Sequence, residues 1–116
     1  MTKNQIIKTV EKEYPELIKD FKEIQKEQYE TFCLKHYDYG EGNIAMGTSA
    51  QEKDDIKLIL TGLIVRLNDK INRLINLVIK RGTDDAANEP VIDTFKDLSV
   101  YGIIAQIVNN KKWKKG

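Results

Sequence analysis

The sequence predicts an all-α fold, a small antiparallel helical bundle with a glycine-containing loop after its second helical stretch. Three observations predict it. Apolar residues recur every three or four positions through most of the chain, and no segment alternates as a strand would. Two capping-box patterns, Thr2 with Gln5 and Ser49 with Glu52, announce helix starts. Glycine and polar clusters at 36–48 and 82–88 mark where helices must stop. At 116 residues the chain is read as one domain, 1–116, long enough for a core but short for two.

Each element follows from local chemistry. Thr2 and Gln5 open a short amphipathic stretch with Ile6, Ile7 and Val10 on its apolar side. Pro15 ends that stretch or starts the next, since proline suits a first helical turn. From Pro15 to about Lys35, Leu17, Ile18, Phe21, Ile24, Gln28, Phe32 and Cys33 keep a 3.6-residue period. His36 to Thr48, with Gly40, Gly42 and Gly47, reads as a structured loop. A long helix is expected from about Ala50 to Lys80 or Arg81, with Gly82 as its C-terminal stop. Residues 83–88 form a polar linker, Asn88 is the expected N-cap, and Glu89 and Pro90 fall in the first turn of a final helix ending near Val108. The basic tail, 109–116, is expected to be frayed.

Composition removes several function classes. Net charge is +1, so there is no global basic field and no strong nucleic-acid signal. One cysteine and one histidine make an intramolecular disulfide impossible and a zinc site improbable, whereas oxygen ligands could still serve magnesium. No apolar run spans a membrane and the start is not a secretory signal, so a cytoplasmic location is expected.

Three polar constellations remain. On the long helix, Gly62, Arg66, Asp69, Lys70, Arg73, Asn76 and Lys80 share one sector, while Leu60, Ile64, Leu67, Ile71, Leu74 and Val78 form the expected core side. The polar sector reads as a solvated face with an Asp69–Arg73 pair, or as a row of cations for phosphate or carboxylate. Ile59, Leu63 and Leu77 beside it argue that part of this face is covered. On the final helix, Asp93, Asp97 and Tyr101 recur every four residues among apolar neighbours. With Glu89, the two aspartates are placed to hold a divalent cation or to pair with Arg66 and Arg73. Between them, the loop brings Lys35, Tyr39, Gly40 and Asn43 close in sequence: amides for a phosphate and a ring for a base, or simply a helix stop and turn. The KKWKK tail is a basic-aromatic patch or a solubilising end.

In this order the constellations resemble the phage and bacterial family called nucleotide modification associated domain 1. The matching elements are Tyr39, Gly40, Gly42 and Asn43, the stretch from Arg66 to Leu77, and the stretch from Glu89 to Tyr101. Together they cover about residues 30–108. The last element is also similar to the later acidic row of MazG-type all-α nucleoside triphosphate pyrophosphatases, although Asp93 and Asp97 stand four apart where that pattern has three. The resemblance implies a nucleotide-like small-molecule ligand at Lys35, Tyr39, Gly40, Asn43, Arg66, Asp69, Lys70, Arg73, Asp93, Asp97 and Tyr101. It implies a phage setting, with sequestration of a cyclic nucleotide immune messenger or a role in modified-nucleotide metabolism, in the host cytoplasm. No cofactor is required by this reading; magnesium at Glu89, Asp93 and Asp97 belongs to its rival, a MazG-like pyrophosphatase. A non-catalytic interaction module is the third reading. A final helix apolar on nearly every side further predicts a homo-oligomer.

Overall fold

A computed structural model describes residues 1–82 and 86–116. Thr83, Asp84 and Asp85, half of the expected linker, lie outside the described residues. All regular elements among the described residues are helical: α1 (Lys3–Glu13), α2 (Pro15–Tyr39), α3 (Gly42–Ala45), α4 (Lys53–Leu74) with a π-helical continuation (Ile75–Lys80), and α5 (Val91–Asn109). None is long and apolar enough to cross a membrane. The chain divides into two compact units, Met1–Lys35 and His36–Gly116, with α2 contributing its last turn to the second.

The first unit obeys its local signals. The Gln5 amide donates to Thr2 Oγ1 at 3.2 Å and the Thr2 amide to Gln5 Oε1 at 2.8 Å, closing the capping box. Tyr14 then leaves helical geometry and Pro15 opens α2. Lys22 reaches back to Glu11 at 3.3 Å, an exposed pair worth little by itself. No residue of α1 or α2 is buried.

The second unit differs from expectation at four points, each with a local cause. His36–Tyr39 is helical, not loop, because nothing in those four side chains breaks a helix. The stop is Gly40 at φ +68°, whose amide donates to the His36 carbonyl at 2.8 Å. The second capping box does not form: Ser49 donates its hydroxyl to Asp55 at 3.2 Å, Ala50 is buried at φ +58°, and α4 starts at Lys53. α5 begins after Pro90, since Pro90 is extended and its carbonyl takes the Asp93 amide, so Asn88 caps nothing. Gly82, at φ +63°, does stand where the long helix stops.

The fourth difference is the tail. Trp113 is buried, donates its indole N–H to the Glu41 carbonyl at 3.1 Å, and sets its ring edge-on to His36 at 5.0 Å. Lys111 turns the chain at φ +59°, and its carbonyl accepts from the Gln51 side chain at 3.2 Å. The terminal segment therefore closes the unit and is not frayed there.

α4 and α5 run antiparallel. Going up α4 through Arg66, Lys70 and Arg73, the partners go down α5 through Tyr101, Asp97 and Thr94. Burial on α4 falls on Ile59 and Leu63, and Leu77 continues it into the π segment. These residues sit among the cations, on the sector expected to be polar. Of the expected core side, Leu60, Leu67 and Leu74 are half-buried, while Ile64 is 63%, Ile71 45% and Val78 45% exposed. The cause is partner demand: α5 carries the groups that complement three cations, so α4 turns its mixed face inward. Opposite them α5 buries Val91, Thr94, Ile104 and Val108.

Trp113 is the chain's single tryptophan, so it reports on this unit without labelling. Its emission should be blue-shifted in the folded protein and move red on unfolding. Trp113→Ala should cost about 3–5 kcal/mol in urea titrations followed by circular dichroism. A loss under 1 kcal/mol would mean the tail is loose.

Candidate functional site

The site-forming residues lie along the α4–α5 contact and the short α3 beside it. Arg66, Lys70 and Arg73 project from α4 in steps of four and three, which keeps them on one line of the helix. Thr94, Asp97 and Tyr101 answer from α5 in steps of three and four. That is why Thr94 faces the cations and Asp93 does not stand in the same row: repeated steps of four drift about 40° around a helix each time.

Each cation has a different environment. Arg73 donates through Nη1 to Thr94 Oγ1 at 2.5 Å and through Nη2 to the Glu89 carbonyl. Thr94 is fully buried, so this contact holds the start of α5 against the end of α4. The Lys70 ammonium lies 2.8 Å from Asp97 Oδ2 and 4.0 Å from Glu89 Oε2. Its pKa is raised above 10.5, chiefly by the hydrogen bond to Asp97, against the opposing effect of burial. Arg66 donates from Nη2 to the Asn43 carbonyl at 3.2 Å and lies 5.9 Å above the Tyr101 ring, within cation–π range.

Beside Arg66 the surface dips into a shallow depression lined by Ile44, Met46, Ile59, Gly62, Leu63 and Arg66. Met46 follows α3 in left-handed geometry, φ +51°, and lies over Gly62, where an added Cβ would stand 3.1 Å from Met46 Cε. The floor is apolar and one rim is cationic.

Of the residues expected to bind ligand, the structure gathers Asn43, Arg66 and Tyr101 at one point and Lys70 and Asp97 at the next, with Arg73 beyond. It does not gather the others. Tyr39 is exposed at the end of α2, and Gly40 serves as that helix's stop. Asp69 is exposed, and Arg73 is engaged by Thr94 and Glu89 in place of the expected Asp69 pair. Asp93 is half-buried on α5, and Lys35 is exposed in the first unit.

The magnesium row is not assembled. Among the described residues, no three acidic, histidine or cysteine side chains are placed to hold a metal ion. Asp97 already has an ammonium at 2.8 Å, which a cation would have to displace. Glu89 lies before α5, so the regular helical spacing to Asp93 is absent. Among the described residues the donor set does not fit the metal.

Sequence reasoning missed Thr94, Met46 and Trp113. For Thr94 a signal existed, because a three–four spacing back from Tyr101 through Asp97 lands on it. Met46 acts through contacts distant in sequence and left no local mark, and Trp113 was read only as part of the basic-aromatic tail, not as a buried ring. No known protein family, curated protein or solved structure matches the chain.

Thr94→Val keeps the shape and removes the acceptor for Arg73. It should cost about 1–3 kcal/mol by chemical denaturation, the range for leaving a partly buried donor unsatisfied. An unchanged midpoint would show that water replaces Thr94 freely.

Lys70 makes a pH prediction whose sign follows from its raised pKa. The folded state holds this proton more tightly than the unfolded one, so the contribution is fully present below about 10.5, the unfolded value. It is lost as pH rises through the higher folded value. The stability difference between the parent and Lys70→Met should be flat from neutral pH to about 9 and shrink above about 10.5. A difference that instead faded toward pH 8 would contradict the pairing.

Proposed function

We propose that the second unit binds a small anionic ligand of nucleotide type, and that binding rather than bond cleavage is its task. The observation that supports this best is Arg66. Its guanidinium has five N–H donors, of which one serves the Asn43 carbonyl, and it stands at the rim of an apolar depression beside an aromatic ring. An anionic group on the guanidinium and a flat apolar moiety on the Ile44–Met46–Leu63 floor would match such a surface. Lys70 and Arg73 are more deeply committed to α5 and add positive potential rather than direct contacts.

The likeness of the Tyr39–Asn43, Arg66–Leu77 and Glu89–Tyr101 elements to the nucleotide modification family points to the same ligand class. In a phage setting, such a module would act by sequestering a cyclic nucleotide messenger or by holding a modified nucleotide. Catalysis by a MazG-like route is the weaker reading, because Asp97 faces an ammonium and not a vacant cation position.

A thermal-shift panel of mononucleotides, cyclic nucleotides and ADP-ribose derivatives tests the proposal, since a ligand that binds only the folded state raises Tm by mass action. Arg66→Ala should weaken the best ligand about 10- to 100-fold, the value of one charge-assisted contact. A parent that none of these compounds stabilises, or equal affinity in Arg66→Ala, would overturn the assignment.

A further inference from the structure

Backbone strain and close approach meet at Met46. It follows α3 at φ +51°, a left-handed geometry that glycine adopts freely and a residue with a Cβ adopts at a cost. Gly47 comes next at φ +81°, so the turn carries glycine at one left-handed position and methionine at the other. The surroundings fix this backbone. The Met46 amide donates to the Gly42 carbonyl at 2.9 Å, and Ile44 and Ala45 before it are buried. Thr48 gives both its amide, at 3.0 Å, and its hydroxyl, at 2.8 Å, to the Ala45 carbonyl. Strain held in place by its neighbours recurs at ligand clamps, where it sets one side chain in position.

The side chain set in position here is not packed away. Met46 is 46% exposed, and its thioether lies where α4 has no side chain of its own. A Cβ on Gly62 would stand 3.1 Å from Met46 Cε and 3.6 Å from Sδ. Gly62 precedes Arg66 by one turn on the same line of the helix. One turn the other way, that line is closed by Lys70 on Asp97 at 2.8 Å. A ligand anchored by its anionic group on Arg66 and lying along α4 therefore extends toward Gly62 and meets the Met46 thioether there.

Resting on the nucleotide reading above, we propose that Met46 is the specificity-determining residue of the site and that it selects the ligand's aromatic ring. Arg66 takes the charge. The ring takes the ledge of bare backbone at Gly62, and the methionine closes on its outer face. An unbranched side chain with three rotatable bonds can lift from the ledge without moving the turn, and a polarizable sulfur is favoured against an aromatic ring. The pair Met46 and Gly62 would thus separate nucleotides from phosphorylated sugars, which offer Arg66 the same phosphate and the ledge nothing flat.

Calorimetric titration of the full chain with adenosine 5′-monophosphate, cytidine 5′-monophosphate and ribose 5-phosphate tests this. The parent should prefer both nucleotides to the sugar phosphate by about tenfold, the upper range for a thioether on a ring. Met46→Gly should erase that preference and leave ribose 5-phosphate affinity unchanged. Its thermal midpoint should stay at that of the parent, since glycine relieves the left-handed backbone as the thioether contact is lost. Gly62→Val, which fills the ledge, should erase the preference too. A preference that survives in either variant overturns the inference and leaves the nucleotide reading standing. A Met46→Gly protein that melts lower and weakens all three probes alike would make Met46 a structural support, which overturns it as well. A parent that binds neither nucleotide also overturns it, and the reading it rests on falls with it only when the whole thermal-shift panel is blank.

Discussion

Three cations on α4 must be partnered before the second unit can close. Arg66, Lys70 and Arg73 are half-buried, and the helix that covers them offers a ring, a carboxylate and a hydroxyl in matching order. A slip of one turn between α4 and α5 would take all three half-buried cations from their partners at once. The hydrophobic residues in the same contact, Ile59, Leu63, Ile104 and Val108, are interchangeable enough to tolerate a slip; the polar row is not. Register in this pair of helices is therefore specified by polarity, while apolar burial supplies the attraction.

That constraint decides which face of α4 is free. A helix with one purely apolar side would ordinarily turn that side to its own chain. Here the complement on α5 takes the mixed side, and Ile64, Ile71 and Val78 are left exposed. It also grades the cations. Arg73 is clamped by Thr94 and Glu89 and Lys70 by Asp97, whereas Arg66 spends one donor on the Asn43 carbonyl and overlooks the depression beneath Met46. A row of three positive side chains thus divides into two that hold the structure and one positioned to meet a ligand.

Much of the fold was legible in the sequence because helices declare themselves locally. The Thr2 box, Pro15, the Gly82 stop and the periodic segments all act within a few residues of where they stand. What stayed hidden depended on distant partners. Ser49 looked like a cap until Asp55 took its hydroxyl, and Leu60 to Val78 looked like core until the demands of Asp97 and Tyr101 rotated α4 the other way. At the site, Arg66, Lys70, Arg73, Asp97 and Tyr101 were readable as two facing stripes. Lys35 and Tyr39 were grouped with them by proximity in sequence, Asp69 by its place in the same helical sector, and Asp93 by a spacing slightly too regular for an α-helix. Thr94 was passed over because a buried hydroxyl between aspartates carries no charge to draw attention.

Trp113 has a bearing on how the protein is made. Its indole meets the Glu41 carbonyl across 72 residues of chain, and Lys111 meets Gln51 across 60. During synthesis, at about 5–20 residues per second, several seconds pass between the appearance of α3 and that of its closing ring. Within that interval α4 is made first, and its cations stay unanswered until Thr94, Asp97 and Tyr101 of α5 follow. The second unit therefore completes its packing only once residue 113 has emerged.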